Sequence, residues 1–295
     1  MKYRWTKVLG ILAIAPVLLG AGWLITTHSG DDVLLYDDHA KSLEVHVSPG
    51  SGGLSGARGL TFGPDGDLFV CSAGKFNWAI LRYRHTGQFK KSFASGGGLV
   101  HPYQGIFGPN GQFYVSGQDN DGVVWFDGKT GKAKGIFVIP GAGGLQSIRG
   151  IAFHPDGDLL AAGRDNNAIL RYNGKTGQFK GFFVPAKQGK LDRPIQLHYG
   201  PDGHLYVGSS GNNCILRFDG RTGRFMDTFV KHKAGGLKRP SGFAWGPKND
   251  LYVASRKSNQ ILRYDGTTGK FKKVVLDYKH DKRLRNPEFL LRTGS

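Results

Sequence analysis

Short apolar runs alternate with tight polar turns along most of the chain. Five turns share one phrase, in which a proline and a small turn precede a strand-like run, as in FGPDGDLFV and YGPDGHLYV. The prolines are 45, 46, 46 and 46 residues apart, at Pro64, Pro109, Pro155, Pro201 and Pro247. A fixed period of this size with several short apolar runs per unit is typical of a β-propeller, whose repeats are four-stranded blades.

Each repeat contains four candidate strands, called here a to d. Strand a precedes the proline phrase, as in GLTF; strand b follows it, as in DLFV; strand c is AILRY, and strand d is QFKGFFV. Asp-Gly and Asn-Gly pairs between such runs favour tight hairpins because these residues tolerate positive φ. The pattern predicts an all-β chain of antiparallel blades.

The stretch RDNNAILRYNGKTGQF, which begins at Arg164, is rich in oxygen-bearing side chains and raises the question of a calcium site. A calcium loop of the EF-hand type needs oxygens at alternate positions and a final bidentate carboxylate, and no copy of the repeat has this series. The stretch also recurs twice, at Ser210 and Arg256. We therefore interpret Asn167, Asn213 and Asn259 as turn residues that bond their own backbone.

The repeats also predict how the ring closes. NPEFLLRT near the C-terminus matches strand a, and VLLYDDHAKSLEVHV near the N-terminus matches strands c and d. Five complete repeats and these two parts give a six-bladed β-propeller whose sixth blade is shared between the termini, which removes open sheet edges. Because the chain stops at Ser295, we expect the sixth blade to lack one strand or the sequence to be truncated.

The N-terminal segment has a different character. Lys2, Arg4 and Lys7 precede about 20 residues without a charge, which is typical of a signal peptide or an uncleaved helical membrane anchor. We expect residues 1–30 to form this segment, with residues 8–27 as the anchor if it is not cleaved, and residues 31–295 to form the propeller. The positive flank predicts an extracytoplasmic, periplasmic or secreted domain.

Charge adds a candidate binding surface. The formal net charge is +18, and three connections between strands d and a, KQGKLDR, KHKAGGLKR and KHDKRLR, carry +2, +4 and +3 while the other three carry none. We expect the basic side of this face to bind an anionic small molecule, a glycan, a lipid headgroup or an acidic protein. A solvated charged rim without a ligand is the alternative. The candidate binding residues are Arg58, Tyr103, Arg149, Arg164, Arg193, Arg239, Arg256 and Lys257.

The repeat GPDGxLYV followed by NxILRYDGxTGxF resembles the six-bladed propellers of the NHL-repeat superfamily and is similar to streptogramin B lyase and to the regucalcin and gluconolactonase family. This resemblance covers residues 31–295 and implies function on the face of the d-to-a and b-to-c connections. The lactonases hold a divalent metal near the start of several strands a. The equivalent residues here include one acid and two arginines, so we expect no metal and no cofactor.

The same resemblance implies a second function class, a lyase that acts on a small substrate at the channel mouth rather than a metal-dependent lactonase. A lyase needs a general base, for which His101, His198 and Glu288 are the candidates. No acid and base are paired in the sequence, so we expect binding rather than catalysis. We also expect a monomer, and the export signal argues against a nucleic-acid ligand.

Overall fold

The computed structural model describes residues 21–75 and 77–294. They form six four-stranded antiparallel sheets arranged as a ring, which confirms the predicted six-bladed β-propeller. Strand a of each blade lies innermost, and each strand a contacts the strands a of both neighbouring blades. Short 3-10 turns occur only in connections, for example at Ala142–Gly144 and Ala234–Gly236 within the described part of the chain.

Blades 1 to 5 each use four consecutive strands, and blade 6 uses one strand from the C-terminus and three from the N-terminal region. In the order a to d, blade by blade, the strands are β4 Ala57–Phe62, β5 Leu68–Ser72, β6 Ala79–Tyr83 and β7 Phe89–Ser95; β8 Pro102–Phe107, β9 Phe113–Gly117, β10 Gly122–Phe126 and β11 Ala133–Val138; β12 Ile148–Phe153, β13 Leu159–Gly163, β14 Ala168–Tyr172 and β15 Phe179–Val184; β16 Pro194–Tyr199, β17 Leu205–Ser209, β18 Cys214–Phe218 and β19 Phe225–Val230; β20 Pro240–Trp245, β21 Leu251–Ser255, β22 Gln260–Tyr264 and β23 Phe271–Asp277; and β24 Pro287–Thr293, β1 Gly22–Thr27, β2 Asp32–Asp37 and β3 Leu43–Val47.

Blade 6 corrects two of the sequence predictions. It is not short by a strand, because β1 supplies strand b and pairs antiparallel with both β24 and β2. The sequence predicts that the residues of β1 belong to the N-terminal signal peptide or anchor, but all of them are buried in this sheet. The propeller therefore begins before residue 31, while the predictions for residues 1–20 lie outside the described residues.

Apolar side chains between adjacent blades hold the ring together. Trp23 of β1 is almost fully buried, and its ring lies 4.4 Å from that of Tyr252 in blade 5. Burial of large aromatic side chains contributes much of the stability of such an interface. The terminal blade is thus packed into the ring as a structural element.

A repeated ion pair fastens strand c to the a-to-b hairpin. The Nε atoms of Arg82 and Arg171 lie 2.7 Å from the carboxylates of Asp67 and Asp158. Lysines of strand d join the same carboxylates, as Lys180 does at 2.6 Å. Part of the positive charge of the outer strands is therefore already neutralised and is not available for a partner.

Candidate functional site at the channel mouth

Three positions of every blade meet at one end of the channel. The first position immediately precedes strand a, the second is the second residue of strand a, and the third immediately follows strand b. The backbone carbonyl at the first position accepts a hydrogen bond from the backbone N–H at the third in all six blades, at 3.0 to 3.4 Å. This bond fixes the end of the blade, so side chains at the three positions are held around the mouth.

The first position has a left-handed backbone in each blade, with φ between 48° and 61°. This conformation costs little for glycine and more for other residues, so a surrounding structure must maintain it. The residues there are Gly56, His101, Ser147, Arg193, Arg239 and Asn286. Two arginines and one histidine are thus presented in the same backbone geometry.

The asparagines of the repeat maintain this geometry. The side-chain oxygens of Asn167 and Asn213 accept hydrogen bonds from the backbone N–H groups of Arg193 and Arg239 at 2.7 and 2.8 Å. Asn259 bonds the N–H of Asn286 in the same way at 2.8 Å. The prediction that these asparagines bond their own backbone is therefore wrong, because each one bonds the loop of the next blade.

A cavity of about 140 Å³ lies inside the mouth. Six arginines and one carboxylate line it, so these ionisable groups together carry an excess of positive charge. Its lining residues are Arg58, Tyr103, Gln118, Arg149, Arg164, Arg193, Ile195, Ser210, Arg239, Pro240, Ser241, Arg256 and Glu288. Seven of the eight residues predicted to bind a ligand are among them. Lys257 is not: it is exposed, and its backbone N–H donates to the carbonyl of Lys238 at 3.1 Å.

Glu288 is fully buried and serves as the counter-ion of two arginines. Arg58 Nη1 donates a hydrogen bond to Glu288 Oε2 at 2.9 Å, and Arg256 Nη1 lies 2.8 Å from Oε1 without hydrogen-bond alignment. The Nε atoms of Arg58 and Arg256 are buried without a hydrogen-bond partner. Glu288 therefore organises the cavity wall, and both of its oxygens are occupied by guanidinium groups.

Tyr103 lies between two arginines. The guanidinium carbons of Arg58 and Arg149 are each 5.3 Å from the centre of its ring, a distance at which cation–π attraction operates. Arg149 Nη1 donates to the carbonyl of Ile148 at 3.2 Å, and no carboxylate of the described residues forms an ion pair with Arg149, since Glu288 and Asp119 act on it only at longer range. Burial, with repulsion from Arg58 and Arg164, lowers the pKa of Arg149 to about 10.

The three catalytic candidates do not come together as a group. His198 is three residues beyond Ile195 in β16, away from the mouth, where it is exposed and its ring lies 5.8 Å from that of Trp245. His101 is at the rim, with Nδ1 2.7 Å from Asp119 Oδ2 and Nε2 3.3 Å from Arg58 Nη2. A carboxylate only accepts hydrogen bonds and a guanidinium only donates them. A neutral His101 ring therefore donates from Nδ1 to Asp119 and accepts at Nε2 from Arg58.

Sequence reasoning missed His28 and Asp119. His28 occupies the third position of blade 6, and burial, followed by repulsion from Arg58, lowers its pKa. Its Nδ1 atom is buried without a partner. A signal was present, because Gly22 stands 46 residues before Leu68 and aligns GWLITTHS with strand b and its exit.

The described residues contain no cluster of three or more His, Cys, Asp or Glu side chains arranged to hold a metal ion. Within residues 21–75 and 77–294, no helix is both long enough and apolar enough to span a membrane.

This architecture is similar to a known repeat family and to several solved structures. A model of the WD domain, G-beta repeat, matches residues 136–170, which run from β11 to β14. No curated protein sequence matches the chain. Among solved structures, the crystal structure of a nidogen/laminin complex aligns with a TM-score of 0.72 at 15% identity, over 92% of this chain and 97% of that chain.

A streptogramin B lyase structure aligns with a TM-score of 0.66 at 17% identity, over 94% of this chain and 88% of that chain. A catalytically inactive histidine-to-alanine variant of virginiamycin B lyase from Staphylococcus aureus, solved with quinupristin, aligns with a TM-score of 0.52 at 19% identity, over 73% and 68%. The shared feature is the fold. The expected likeness to the streptogramin B lyase propeller is confirmed at that level, and identities this low carry no activity across.

Proposed function

We propose that this propeller binds an anionic ligand in the arginine-lined mouth of its channel. One observation carries the proposal: six arginines from four blades line a single cavity that contains one carboxylate. Uncompensated cations in a partly desolvated pocket repel one another, and an anion relieves that repulsion while accepting charge-assisted hydrogen bonds. Binding requires only this preformed charge arrangement and no general base.

The geometry favours a soluble ligand that enters the mouth. It disfavours binding of the mouth to the membrane in which the N-terminal segment would lie. Gly22 pairs with Thr293 and Thr27 pairs with Pro287, so β1 runs toward the mouth and begins at the opposite end of the channel. A strand of six residues spans about 20 Å. Attachment of the segment before β1 to a membrane would therefore hold the far face toward that membrane and leave the arginines open to soluble ligands.

We also propose that the propeller is exported across a membrane. Lys2, Arg4 and Lys7 ahead of an uncharged segment support translocation of the propeller with the positive flank remaining inside. The test is cell fractionation followed by mass spectrometry of the N-terminus. Recovery of the chain only from the cytoplasm with an intact N-terminus would contradict export without affecting the binding proposal.

Anion binding is tested by thermal melts of the full-length chain in acetate, citrate, sulfate and phosphate at constant ionic strength. A ligand that binds only the folded state raises the melting temperature. We expect multivalent anions to stabilise the chain, and we expect the effect to disappear when Arg193 and Arg239 are both changed to Gln. An equal effect in that variant would show that the anions act elsewhere.

The contact between His101 and Asp119 supports a second candidate function, a lyase. An aspartate that orients a histidine is a common element of general-base sites, although Arg58 occupies the second ring nitrogen here. The test is incubation of the full-length chain with quinupristin, followed by chromatography. Conversion that is lost in His101→Ala and in Asp119→Asn would support the lyase, and unchanged quinupristin would count against activity on that compound.

A further inference from the structure

The charges of the mouth are not evenly compensated. Arg58 and Arg256 share Glu288, and Arg164 Nη1 lies 2.5 Å from Asp165 Oδ1. The other three arginines of the cavity, Arg149, Arg193 and Arg239, form no ion pair with any carboxylate of residues 21–75 and 77–294. The positive charge that lacks an ion-pair partner is therefore concentrated on one arc of the mouth, which is formed by Arg149, Arg193 and Arg239.

This arc spans three consecutive blades. Arg149 lies in strand a of blade 3, and Arg193 and Arg239 immediately precede the strands a of blades 4 and 5. Their side chains thus approach the cavity from three directions around the channel axis. Asn167 and Asn213 of the preceding blades hold the backbone of Arg193 and Arg239, so the point from which each side chain extends is fixed before a ligand arrives.

The shape and charge of the arc select among anions. A carboxylate offers two oxygens in one plane and one negative charge, which would satisfy one guanidinium well. A phosphate monoester offers three terminal oxygens in a tetrahedral arrangement and nearly two charges at neutral pH. Three guanidinium groups from three blades line one cavity and together supply enough donors for three terminal oxygens, and arginine is well suited to phosphate recognition.

The volume of the cavity limits what enters it. A space of about 140 Å³ is smaller than the pockets of roughly 300 to 1,000 Å³ that enclose drug-sized ligands. A terminal phosphate fits, while the remainder of the ligand must stay outside the mouth. The buried, unpartnered Nε atoms of Arg58 and Arg256 are further donors in this wall that lack an acceptor.

We infer that the mouth recognises the terminal phosphomonoester of a soluble ligand, with Arg149, Arg193 and Arg239 as the residues that distinguish it from singly charged anions. This inference rests on the proposed function and specifies its ligand class.

The test is isothermal titration calorimetry of the full-length chain with phenyl phosphate, phenyl sulfate and benzoate at equal ionic strength. These probes share the ring and differ in charge and geometry. At pH 7.5 we expect phenyl phosphate to bind at least tenfold more tightly than either of the others. Since the second pKa of a phosphate monoester is about 6, its affinity should fall about fourfold at pH 5.5. The affinity for phenyl sulfate controls for pH effects on the protein.

Variants locate the site. Arg193→Gln and Arg239→Gln change exposed side chains, so we expect both variants to fold and each to bind phenyl phosphate at least tenfold more weakly. Arg149→Gln should behave likewise, with its melting temperature recorded beside it. The controls are Arg221→Gln and Lys270→Gln, two exposed cations near c-to-d turns, which should change affinity less than twofold.

Each outcome is decisive. Equal affinity for the three probes, lost in the arginine variants, would overturn the phosphomonoester inference and leave anion binding intact. No binding heat from any of the three probes would overturn both the phosphomonoester inference and the anion-binding proposal. Equal losses in the control variants would overturn the site. Sedimentation with vesicles of phosphatidic acid or phosphatidylglycerol identifies the source: binding to phosphatidic acid vesicles that requires Arg193 would overturn the soluble ligand in favour of a headgroup.

Discussion

Arg58 Nη1 donates a hydrogen bond to Glu288 Oε2 at 2.9 Å, which joins the first strand a to the last one in the chain. The two residues are 230 positions apart and belong to blades 1 and 6. One contact thus bridges the point where the ring closes and also builds the wall of the candidate binding cavity. Stability and ligand binding are therefore coupled through Glu288.

The first prediction concerns that coupling. Glu288→Gln removes the shared counter-ion and leaves Arg58 and Arg256 as uncompensated cations in the wall. Loss of one partner of a buried ion pair typically costs about 3 to 5 kcal/mol, so we expect a lower free energy of unfolding in urea titrations. Phosphate should restore more stability to Glu288→Gln than to the parent chain. A variant as stable as the parent would contradict the counter-ion role.

The second prediction concerns strand β1. A chain of residues 21–295 should fold, whereas residues 28–295 should not, because removal of β1 separates β24 from β2 and exposes the cavity left by Trp23, Leu24 and Ile25. In the complete chain, Trp23→Ala should cost about 3 to 5 kcal/mol. Circular dichroism melts check both changes. A cooperative melt of residues 28–295 at the temperature of the longer chain would contradict the closure described here.

The third prediction concerns the bonds between blades. Asn213→Ala removes the acceptor for the N–H of Arg239 and places alanine at φ 54°, so we expect a loss of about 1 to 3 kcal/mol and weaker anion binding. Asn213→Asp is the matched control because aspartate retains the acceptor, as Asp31 does for the N–H of Gly56 at 2.6 Å. Urea titration should show only a small loss of stability for Asp. Equal losses would contradict a role for the acceptor.

The fourth prediction concerns pH. Burial and the nearby Arg58 lower the pKa of His28 below 6.5 in the folded chain. The unfolded chain therefore takes up more protons below pH 6.5, so the contribution of neutral His28 to stability is present above that pH and is lost as pH falls toward the folded pKa. We expect the free energy of unfolding to fall less steeply between pH 7 and 5 in His28→Asn. Parallel curves for both proteins would exclude His28 as a source of the pH dependence.

The architecture was predictable because each repeat carries its own turns and apolar alternation, and the spacing of Pro64 through Pro247 counts the blades. Strand β1 was hidden because Trp23, Leu24 and Ile25 continue the apolar composition of the segment before them. These residues form a strand because of tertiary packing, such as that of Trp23 against Tyr252, and local composition does not show that packing.

The site was partly predictable for the same reason. Equivalent positions of a repeat converge, so Arg58, Arg149 and Arg193 could be placed at one mouth from their register. The role of Asn167 could not be read, because its partner lies in the next blade. The contact of His101 with Asp119 depends on side-chain orientation in a loop, which periodicity does not describe.

The central claim is that an anion binds between the unpaired arginines of the mouth. Its most direct test is a crystal of the full-length chain grown with sodium tungstate, a tetrahedral dianion that is visible in anomalous maps. We predict a strong peak inside the cavity, with its oxygens within hydrogen-bond distance of the guanidinium groups of Arg149, Arg193 and Arg239. Peaks only beside cations of the outer turns, such as Arg221 and Lys270, with none in the mouth, would contradict the account.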